Sequence, residues 1–332
     1  MGILGAGSWG TALAHLAGTA GHQVTLWAYE PEVVASINAT RRNPLYLPDS
    51  VLPTSVRATA DLEELARDQA LLLCVVPAQL LRGYLGALAP RLDTTTPLVI
   101  CSKGIERKTL ATLDQVFDAA LGDAHRRQIA VLSGPSFAAE VAAGMPTNVT
   151  LAARDPSVAR RVQTTLATRA FRVYTTDDVV GVEIGGALKN VIAIAIGAAD
   201  GLGFGHNTRA GIITRGLAEI TRLALSMGAK PETMLGLAGV GDLILTCTSD
   251  LSRNRQVGKL LAEGRSAPEI QRQMRMVAEG VPTAESAHQL AIARGVELPI
   301  TEQVFRVLYE GQSVPAAMAA LQDRALKDEW QA

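Results

Sequence analysis

The sequence predicts an α/β first half, a mostly parallel sheet with helices on both faces, followed by an all-helical second half. Three observations carry that prediction. Short continuous apolar runs alternate with helical patterns up to about residue 177. Beyond residue 178 no convincing strand pattern recurs, and helical patterns follow one another. A glycine-rich turn, GAGSWG, stands directly after the first apolar run and opens the first helical pattern. Uninterrupted apolar strands separated by helices belong to sheets buried on both sides. The expected domains are therefore 1–177 and 178–332.

The expected strands are Met1–Leu4, Val24–Trp27, Ala70–Val76, Leu98–Ser102, Ile129–Ser133, Asn148–Ala152 and Phe171–Thr175. Met1–Leu4 is short for a central strand, as if a residue or two were missing. Between the strands, Thr11–Ala20, Glu32–Asn38 and Leu110–Leu121 carry helical spacing of apolar residues. In the second half the same spacing predicts helices over Val182–Ala199, Thr208–Met227, Arg253–Glu263, Ala267–Met274, Thr283–Arg294, Pro299–Glu310 and Ser313–Leu321.

A chain of 332 residues holds about two domains. With 48% hydrophobic and 19% charged residues, it is globular rather than disordered. A formal net charge of −1 gives no field to draw it to nucleic acid or an anionic membrane, and 4% aromatics leaves little for a base-stacking surface. Cys74, Cys101 and Cys247 match no metal spacing and read as buried thiols in a reducing compartment. The glycine turn comes too early to leave room for a signal peptide. The longest apolar stretches, Ala70–Val76 and Val191–Ala199, fall short of the roughly 18 residues that a membrane helix needs. A cytoplasmic protein without membrane insertion or nucleic-acid partner is expected.

Gly5, Gly7 and Gly10 fit G-x-G-x-x-G in the context that gives it meaning, between a strand and a helix. The first glycine permits the tight turn, the second removes a side chain where a pyrophosphate approaches, and the third lets helix and sheet pack closely. The free N–H groups at the helix start then bind the anion. Dinucleotide binding is the expectation, with Ser8 and Trp9 lining the cofactor. At the end of the second strand, Tyr29 either stacks on adenine or covers the strand end. Glu30 has the separation of a ribose-binding acid, but it precedes Pro31, and a helix-capping role is favoured for it.

Four further segments place polar groups where a core does not want them. Lys103, in CSKGIE after a buried strand, is either a solvated loop lysine or a cation aimed at an anionic substrate. Gly134 and Ser136, after the next strand, offer donors at the same sheet edge. On the helix beginning near Val182, Gly186, Lys189, Asn190, Ala193, Gly197 and Asp200 share one face, with Glu183 at its margin. Such a face of small residues suits close approach by a ligand or another backbone. Lys189 is flanked by apolar residues, so burial should lower its pKa and fit it for proton transfer. Finally, Ser252 reads as a helix N-cap, which puts Arg253 and Asn254 in the first helical turn. An arginine there is electrostatically misplaced unless a phosphate or carboxylate is bound. Asp242 either orients Lys189, binds a substrate hydroxyl or caps a turn.

Taken together, GAGSWGTALA, CSKGIE, SGPSFAAEV, GGALKNVIAIAIGAADGLGFGHNTRAGIITRGLAE, GVGDLILTCTSDLSRNR and VAEGVPT resemble the bacterial NAD(P)-dependent glycerol-3-phosphate dehydrogenases, in the right order and over nearly the whole chain. The resemblance implies a Rossmann-type first domain, a helical second domain and a substrate between them. It implies that Ser8, Trp9, Ala138, Val277 and Glu279 contact NAD or NADP. Lys103, Gly134 and Ser136 would hold the substrate from the first domain, with Lys103 also near the cofactor. Lys189 would exchange the proton. Asp242, Ser252, Arg253 and Asn254 would complete the substrate site, and Arg253 would reach the cofactor as well. Tyr29 stands where relatives often carry Arg or His, cations that meet a 2′-phosphate. Arg41 and Arg42 either compensate or are simply solvated.

The expected reaction is reversible hydride transfer that reduces dihydroxyacetone phosphate to sn-glycerol 3-phosphate; the resemblance further implies that the product feeds glycerophospholipid synthesis. The expected partner is thus a small phosphorylated three-carbon molecule. A homodimer is compatible with the sequence, which does not fix the oligomeric state, and no metal is implied. Two alternatives stay open: a dehydrogenase of the same architecture acting on another hydroxy acid, and a non-catalytic sensor of cofactor redox state.

Overall fold

The computed structural model describes residues 1–274, 277–326 and 328–329. The chain forms two compact units. The first comprises Met1–Ser102 and Leu113–Val182; the second comprises Lys103–Thr112 and everything from Glu183 onward. Two features depart from the expected division at residue 177. The helix Val179–Gly201 changes unit after its first turn, and the ten residues that follow Ser102 belong with the helical unit.

The first unit is built on eight strands: β1 (Gly2–Leu4), β2 (Val24–Trp27), β3 (Val56–Thr59), β4 (Leu72–Cys74), β5 (Leu98–Ile100), β6 (Ile129–Ser133), β7 (Thr147–Ala153) and β8 (Phe171–Thr176). Their order is β3-β2-β1-β4-β5-β6-β7-β8, and every pair except β6–β7 is parallel. The strand order reverses at β1, between β2 and β4, which is where open α/β sheets of this kind bind ligands. Between β6 and β7 the connection holds only the five-residue helix Ala138–Ala142, about 8 Å long, too short to return the chain to the far end of the sheet. The next strand therefore runs back.

One strand, β3, escapes the sequence reading. Val56-Arg57-Ala58-Thr59 has a single exposed position and pairs only with β2 at the sheet edge, so it lacks the continuous apolar run of the central strands. Short helices at Leu62–Ala66, Leu81–Leu88 and Pro156–Leu166 were likewise not expected. The central strands are almost wholly buried, and Leu13, Leu26, Leu73, Val99 and Val149 meet in the core of this unit. Helix Ser8–Thr19 packs on the helix Ala138–Ala142.

In the second unit, the part of helix Val179–Gly201 from Glu183 onward is surrounded by other helices, among them His206–Ser226, Asp242–Thr248, Arg253–Ala262, Gly280–Arg294 and Pro299–Tyr309. Asp178 starts the long helix by accepting a hydrogen bond from the Gly181 N–H at 2.9 Å. By length and composition this helix could cross a membrane, contrary to the count of uninterrupted apolar runs, because Glu183, Lys189 and Asn190 break the run without ending the helix. Some 94% of its most apolar window is buried inside the fold, as in the core helix of a globular unit. Its small-residue face admits another backbone. A Cβ on Gly197 would lie 1.9 Å from the Arg255 carbonyl oxygen, and one on Gly258 would lie 2.0 Å from that of Ile194. The glycines thus let the two helices touch backbone to backbone. A second tie is polar: the buried Glu219 carboxylate accepts the Ile300 N–H at 2.6 Å and the Thr301 N–H at 3.2 Å, closing the start of helix Pro299–Tyr309.

Candidate active site

The glycine turn in the first unit has the geometry that its spacing predicts. Gly5 has φ +113°, a conformation that a residue with a side chain rarely adopts. A Cβ on Gly10 would lie 1.8 Å from the Gly5 carbonyl oxygen, so only glycine lets helix Ser8–Thr19 start so close to the turn. Around Gly7, by contrast, a Cβ would meet nothing within 4 Å. Gly7 occupies the N-cap position, no side chain caps the helix, and its first turn holds no acid. Backbone N–H groups therefore face open space with the positive end of the helix behind them, a cradle fitted to a pyrophosphate. The residues present fit a dinucleotide.

The segment Asn43–Tyr46, anchored by the buried Asn43, holds the turn in place. Asn43 donates to the Ala6 carbonyl and to Thr11 Oγ1, each at 2.8 Å, and the Ser8 hydroxyl donates to the Tyr46 carbonyl at 2.8 Å. Next to Pro44, Asn43 looks like an ordinary turn residue in the sequence, so this role was missed. Trp9 and Ala138 are partly buried against the core, whereas Tyr29 is 74% exposed and does not cover the strand end. Glu30 does not cap its helix as favoured from the sequence. It occupies the N-cap position without a capping bond, and its carboxylate accepts the Tyr46 hydroxyl at 2.6 Å instead. Gly134 and Ser136 follow β6. Gly134 has φ +128°, and the Ser136 hydroxyl donates to its carbonyl at 3.0 Å.

The second unit concentrates charge. Asp242 begins helix Asp242–Thr248 directly after a π-turn, Leu237–Gly241, and is 1% exposed. Its Oδ1 accepts from Lys189 Nζ at 2.5 Å and its Oδ2 from Lys103 Nζ at 2.6 Å. Lys103 thus stands with the helical unit, which corrects the expectation that it serves from the first domain: the carboxylate of Asp242 is its partner there. Lys189 also donates to Thr246 Oγ1 at 2.8 Å, and that hydroxyl donates to the Asp242 carbonyl at 2.7 Å. Thr246 was not singled out as a site residue, although its spacing of four from Asp242 puts both on one helix face.

Two lysines share one carboxylate, and the consequences are opposite for the two kinds of group. Burial lowers the Lys189 ammonium to about 7; Lys103 pushes the same way and Asp242 opposes. Desolvation would raise the Asp242 carboxyl, but the two ammonium groups outweigh it and hold it below its usual value. The result is a buried amine, its pKa lowered toward neutrality, beside a second cation. Glu183 and Asn190, from the same helix as Lys189, are buried as well.

Ser252 caps helix Arg253–Ala262, its side chain accepting the Arg255 N–H at 3.3 Å. Arg253 is in the first turn of that helix, and Glu279 is its nearby counter-charge. Asn254 is anchored in the fold: it donates to Asn190 Oδ1 at 2.8 Å and accepts the Gly280 N–H at 2.9 Å. Val277 is exposed just before helix Gly280–Arg294. Buried Arg255 belongs to a separate structural network, bonded to Asp200 at 2.7 Å and Asp250 at 2.5 Å. The cysteines Cys74, Cys101 and Cys247 are buried and form no disulfide, and burial pushes the thiols of Cys74 and Cys247 up to about 12.

Comparison with known proteins agrees with both halves of this chemistry. Residues 1–159 match the family model described as NAD-dependent glycerol-3-phosphate dehydrogenase N-terminus, and residues 178–319 match the corresponding C-terminus model. The glycerol-3-phosphate dehydrogenase [NAD(P)+] of Geobacter sulfurreducens is 57% identical over 99% of this chain and 98% of its own length. Its counterpart from Geobacter metallireducens is 56% identical over the same shares. Among solved structures, glycerol-3-phosphate dehydrogenase from Coxiella burnetii superposes with a TM-score of 0.92 at 41% identity, covering 97% of this chain and 98% of that one. The chain belongs to the NAD-dependent glycerol-3-phosphate dehydrogenase family.

Proposed function

We propose that this chain catalyses the reversible reduction of dihydroxyacetone phosphate to sn-glycerol 3-phosphate, with Lys189 as the proton-exchanging group. The observation that carries the reading is the Asp242 carboxylate shared by Lys103 and the buried Lys189, whose ammonium burial lowers to about 7. The bound dinucleotide supplies the hydride exchanged with C2. Gly5, Gly7 and Gly10 would hold its pyrophosphate on backbone N–H groups, with Ser8, Trp9, Tyr29 and Ala138 as neighbours within the sheet unit.

As the C2 carbonyl is reduced, negative charge develops on its oxygen. Lys189 stabilises that charge and donates its proton to the oxygen; in oxidation the neutral amine takes the hydroxyl proton back. Asp242 and Thr246 hold two of the three N–H donors of Lys189 and so orient it. Lys103 adds a second positive charge. Arg253, helped by the start of its helix and by Ser252 and Asn254, holds the phosphate, while Gly134 and Ser136 offer further donors. Binding at the unreactive phosphate positions the carbonyl. Residues 1–177 then act as the dinucleotide-binding domain and 178–332, with Lys103, as the substrate domain. A cytoplasmic location and a place in glycerophospholipid synthesis fit this activity.

The test is dihydroxyacetone phosphate-dependent oxidation of reduced cofactor, followed by absorbance. Lys189→Met is expected to lower kcat by on the order of 10²–10⁴ while fold and cofactor affinity persist. Near-normal turnover would refute the proton role. Arg253→Ala should raise KM for dihydroxyacetone phosphate and leave unphosphorylated dihydroxyacetone unaffected; an equal loss with both would remove Arg253 from the phosphate site.

A further inference from the structure

Lys103 reaches Asp242 from the segment Lys103–Thr112, which follows β5 yet belongs to the helical unit. The two lysines on Asp242 differ in what holds them. Lys189 rises from the middle of a long helix, with 9% of its side chain exposed. Lys103 stands on a loop, with 18% exposed. A lysine stem is flexible, so its ammonium stays on one carboxylate only where the backbone beneath it is fastened. Whatever fastens this segment therefore bears on the site.

The neighbouring helices are Gly280–Arg294 and Pro299–Tyr309. The Ser286 hydroxyl donates to the Ile105 carbonyl at 3.1 Å, but it is shared with the Pro282 carbonyl at the same distance. Thr109 donates to Glu106 within the segment, which stiffens the loop without tying it to a helix. Arg107 does more. Its Nε meets the Glu285 carboxylate at 2.8 Å, and its Nη2 donates to the Tyr309 hydroxyl at 2.5 Å. One planar guanidinium thereby grips both helices.

An exposed ion pair alone contributes little. The second arm and the rigidity of its seat set this one apart. The Tyr309 hydroxyl donates to the Val281 carbonyl at 2.9 Å, and the Tyr309 ring stacks on Phe305 with centroids 5.4 Å apart. Arg107 lies four residues beyond Lys103, a span of at most about 14 Å. An anchor there limits how far the lysine can move.

We infer that Arg107, seated on Glu285 and Tyr309, is a positioning residue that keeps the Lys103 ammonium on Asp242. The inference deepens the proposed reduction and rests on it for its kinetic consequence. Asp242 and Lys103 face the Lys189 amine, and the nearby Cys247 thiol, pushed up to about 12, stays neutral. Burial raises the Tyr309 phenol too, so it does not titrate near neutrality. Lys103 lowers the Lys189 pKa and Asp242 raises it, so withdrawing Lys103 moves that pKa up.

The test follows reduction of dihydroxyacetone phosphate from pH 6 to 9 in the parent, Arg107→Ala, Arg107→Lys, Lys103→Ala and the Lys103→Ala/Arg107→Ala double variant. Arg107→Ala should lower kcat about tenfold and move the pH at which kcat falls upward by about half a unit or more. Arg107→Lys, which keeps a cation for Glu285, should recover part of both. On a Lys103→Ala background, Arg107→Ala should change kcat less than about twofold and leave the midpoint in place. A role confined to stability would lower activity at a fixed midpoint and add in full to Lys103→Ala; either result overturns the inference. A second measurement needs no turnover. Acetylation by limiting acetic anhydride, read by peptide mass spectrometry and normalised to the other lysines, should label Lys103 about fivefold faster in Arg107→Ala than in the parent. An unchanged rate would overturn the positioning by Arg107 and leave the dehydrogenase reading standing. A parent chain that oxidised neither NADH nor NADPH with dihydroxyacetone phosphate would remove that reading instead, and the labelling would still decide what holds Lys103.

Discussion

The glycine turn and the Lys103–Asp242–Lys189 cluster solve the same problem, stabilising negative charge, by opposite means. The turn uses no charged side chain at all: Gly5, Gly7 and Gly10 clear space and bend the backbone so that N–H groups and a helix dipole face outward. Its surroundings need no counter-charge because it carries only partial charges. In the cluster, Asp242 and Lys189 lie in the protein interior with the partly exposed Lys103 against them, and each charge depends on the others. The difference teaches what each can do. A site made of backbone binds without exchanging protons. Burying an amine shifts its pKa and so makes a proton available near neutral pH.

The largest way to break this contrast is Asp242→Asn. It leaves Lys189 buried without its counter-charge, an arrangement that costs about 3–5 kcal/mol. Urea denaturation should register most of that loss near neutral pH. Because Asp242 raises the Lys189 pKa, the variant should also lose reductive turnover at lower pH than the parent. In the parent, reduction needs the protonated amine, so its kcat should fall as pH rises through about 7, while that of oxidation rises. A pH profile of reduction flat between 6 and 8 would detach Lys189 from the chemistry.

Next comes Gly10→Ala. Its Cβ would run into the Gly5 carbonyl oxygen, and the backbone must move, so a loss of about 3 kcal/mol is expected in the same denaturation experiment. Glu219→Gln probes a buried charge outside the site. Burial pushes the Glu219 carboxyl up to about 7, so the folded state keeps its proton longer than the unfolded state does. Stability should therefore fall as pH rises from about 4.5 to about 7, by roughly 3 kcal/mol at most, and Glu219→Gln should flatten that slope. Turnover should be unchanged, which separates burial of charge as such from burial at the reacting centre. The smallest change is Gly7→Ala. With open space around it, the new methyl leaves stability unaltered and weakens dinucleotide binding about tenfold, about 1.4 kcal/mol. Equal effects of Gly7→Ala and Gly10→Ala on stability would contradict the division of labour within the turn.

Much of this was legible in the chain itself. The glycine spacing was readable because each glycine answers a local steric demand that nothing distant can relax. The continuous apolar strands were readable because burial on both faces leaves no polar position. Lys189 stood out as the one lysine on a small-residue helix face. The edge strand β3 was not legible, since Val56-Arg57-Ala58-Thr59 is too short and too polar in sequence to read as an apolar run. Nor were Thr246 and Asn43, whose importance lies in partners supplied by other elements, namely Lys189 and Ala6. Glu30 shows the limit most plainly. The sequence favours a helix cap, whereas in the structure Tyr46, sixteen residues away, takes the Glu30 carboxylate instead.

The sequence alone determined the elements, the sheet-then-helix order and the residue types able to bind phosphate and move a proton, because these follow from local sterics and periodic burial. Tertiary structure alone decided which charges share a carboxylate, which unit claims Lys103 and what Glu30 is free to do. Such pairings depend on distances between segments remote in sequence, and electrostatic and hydrogen-bond energies act only at those distances.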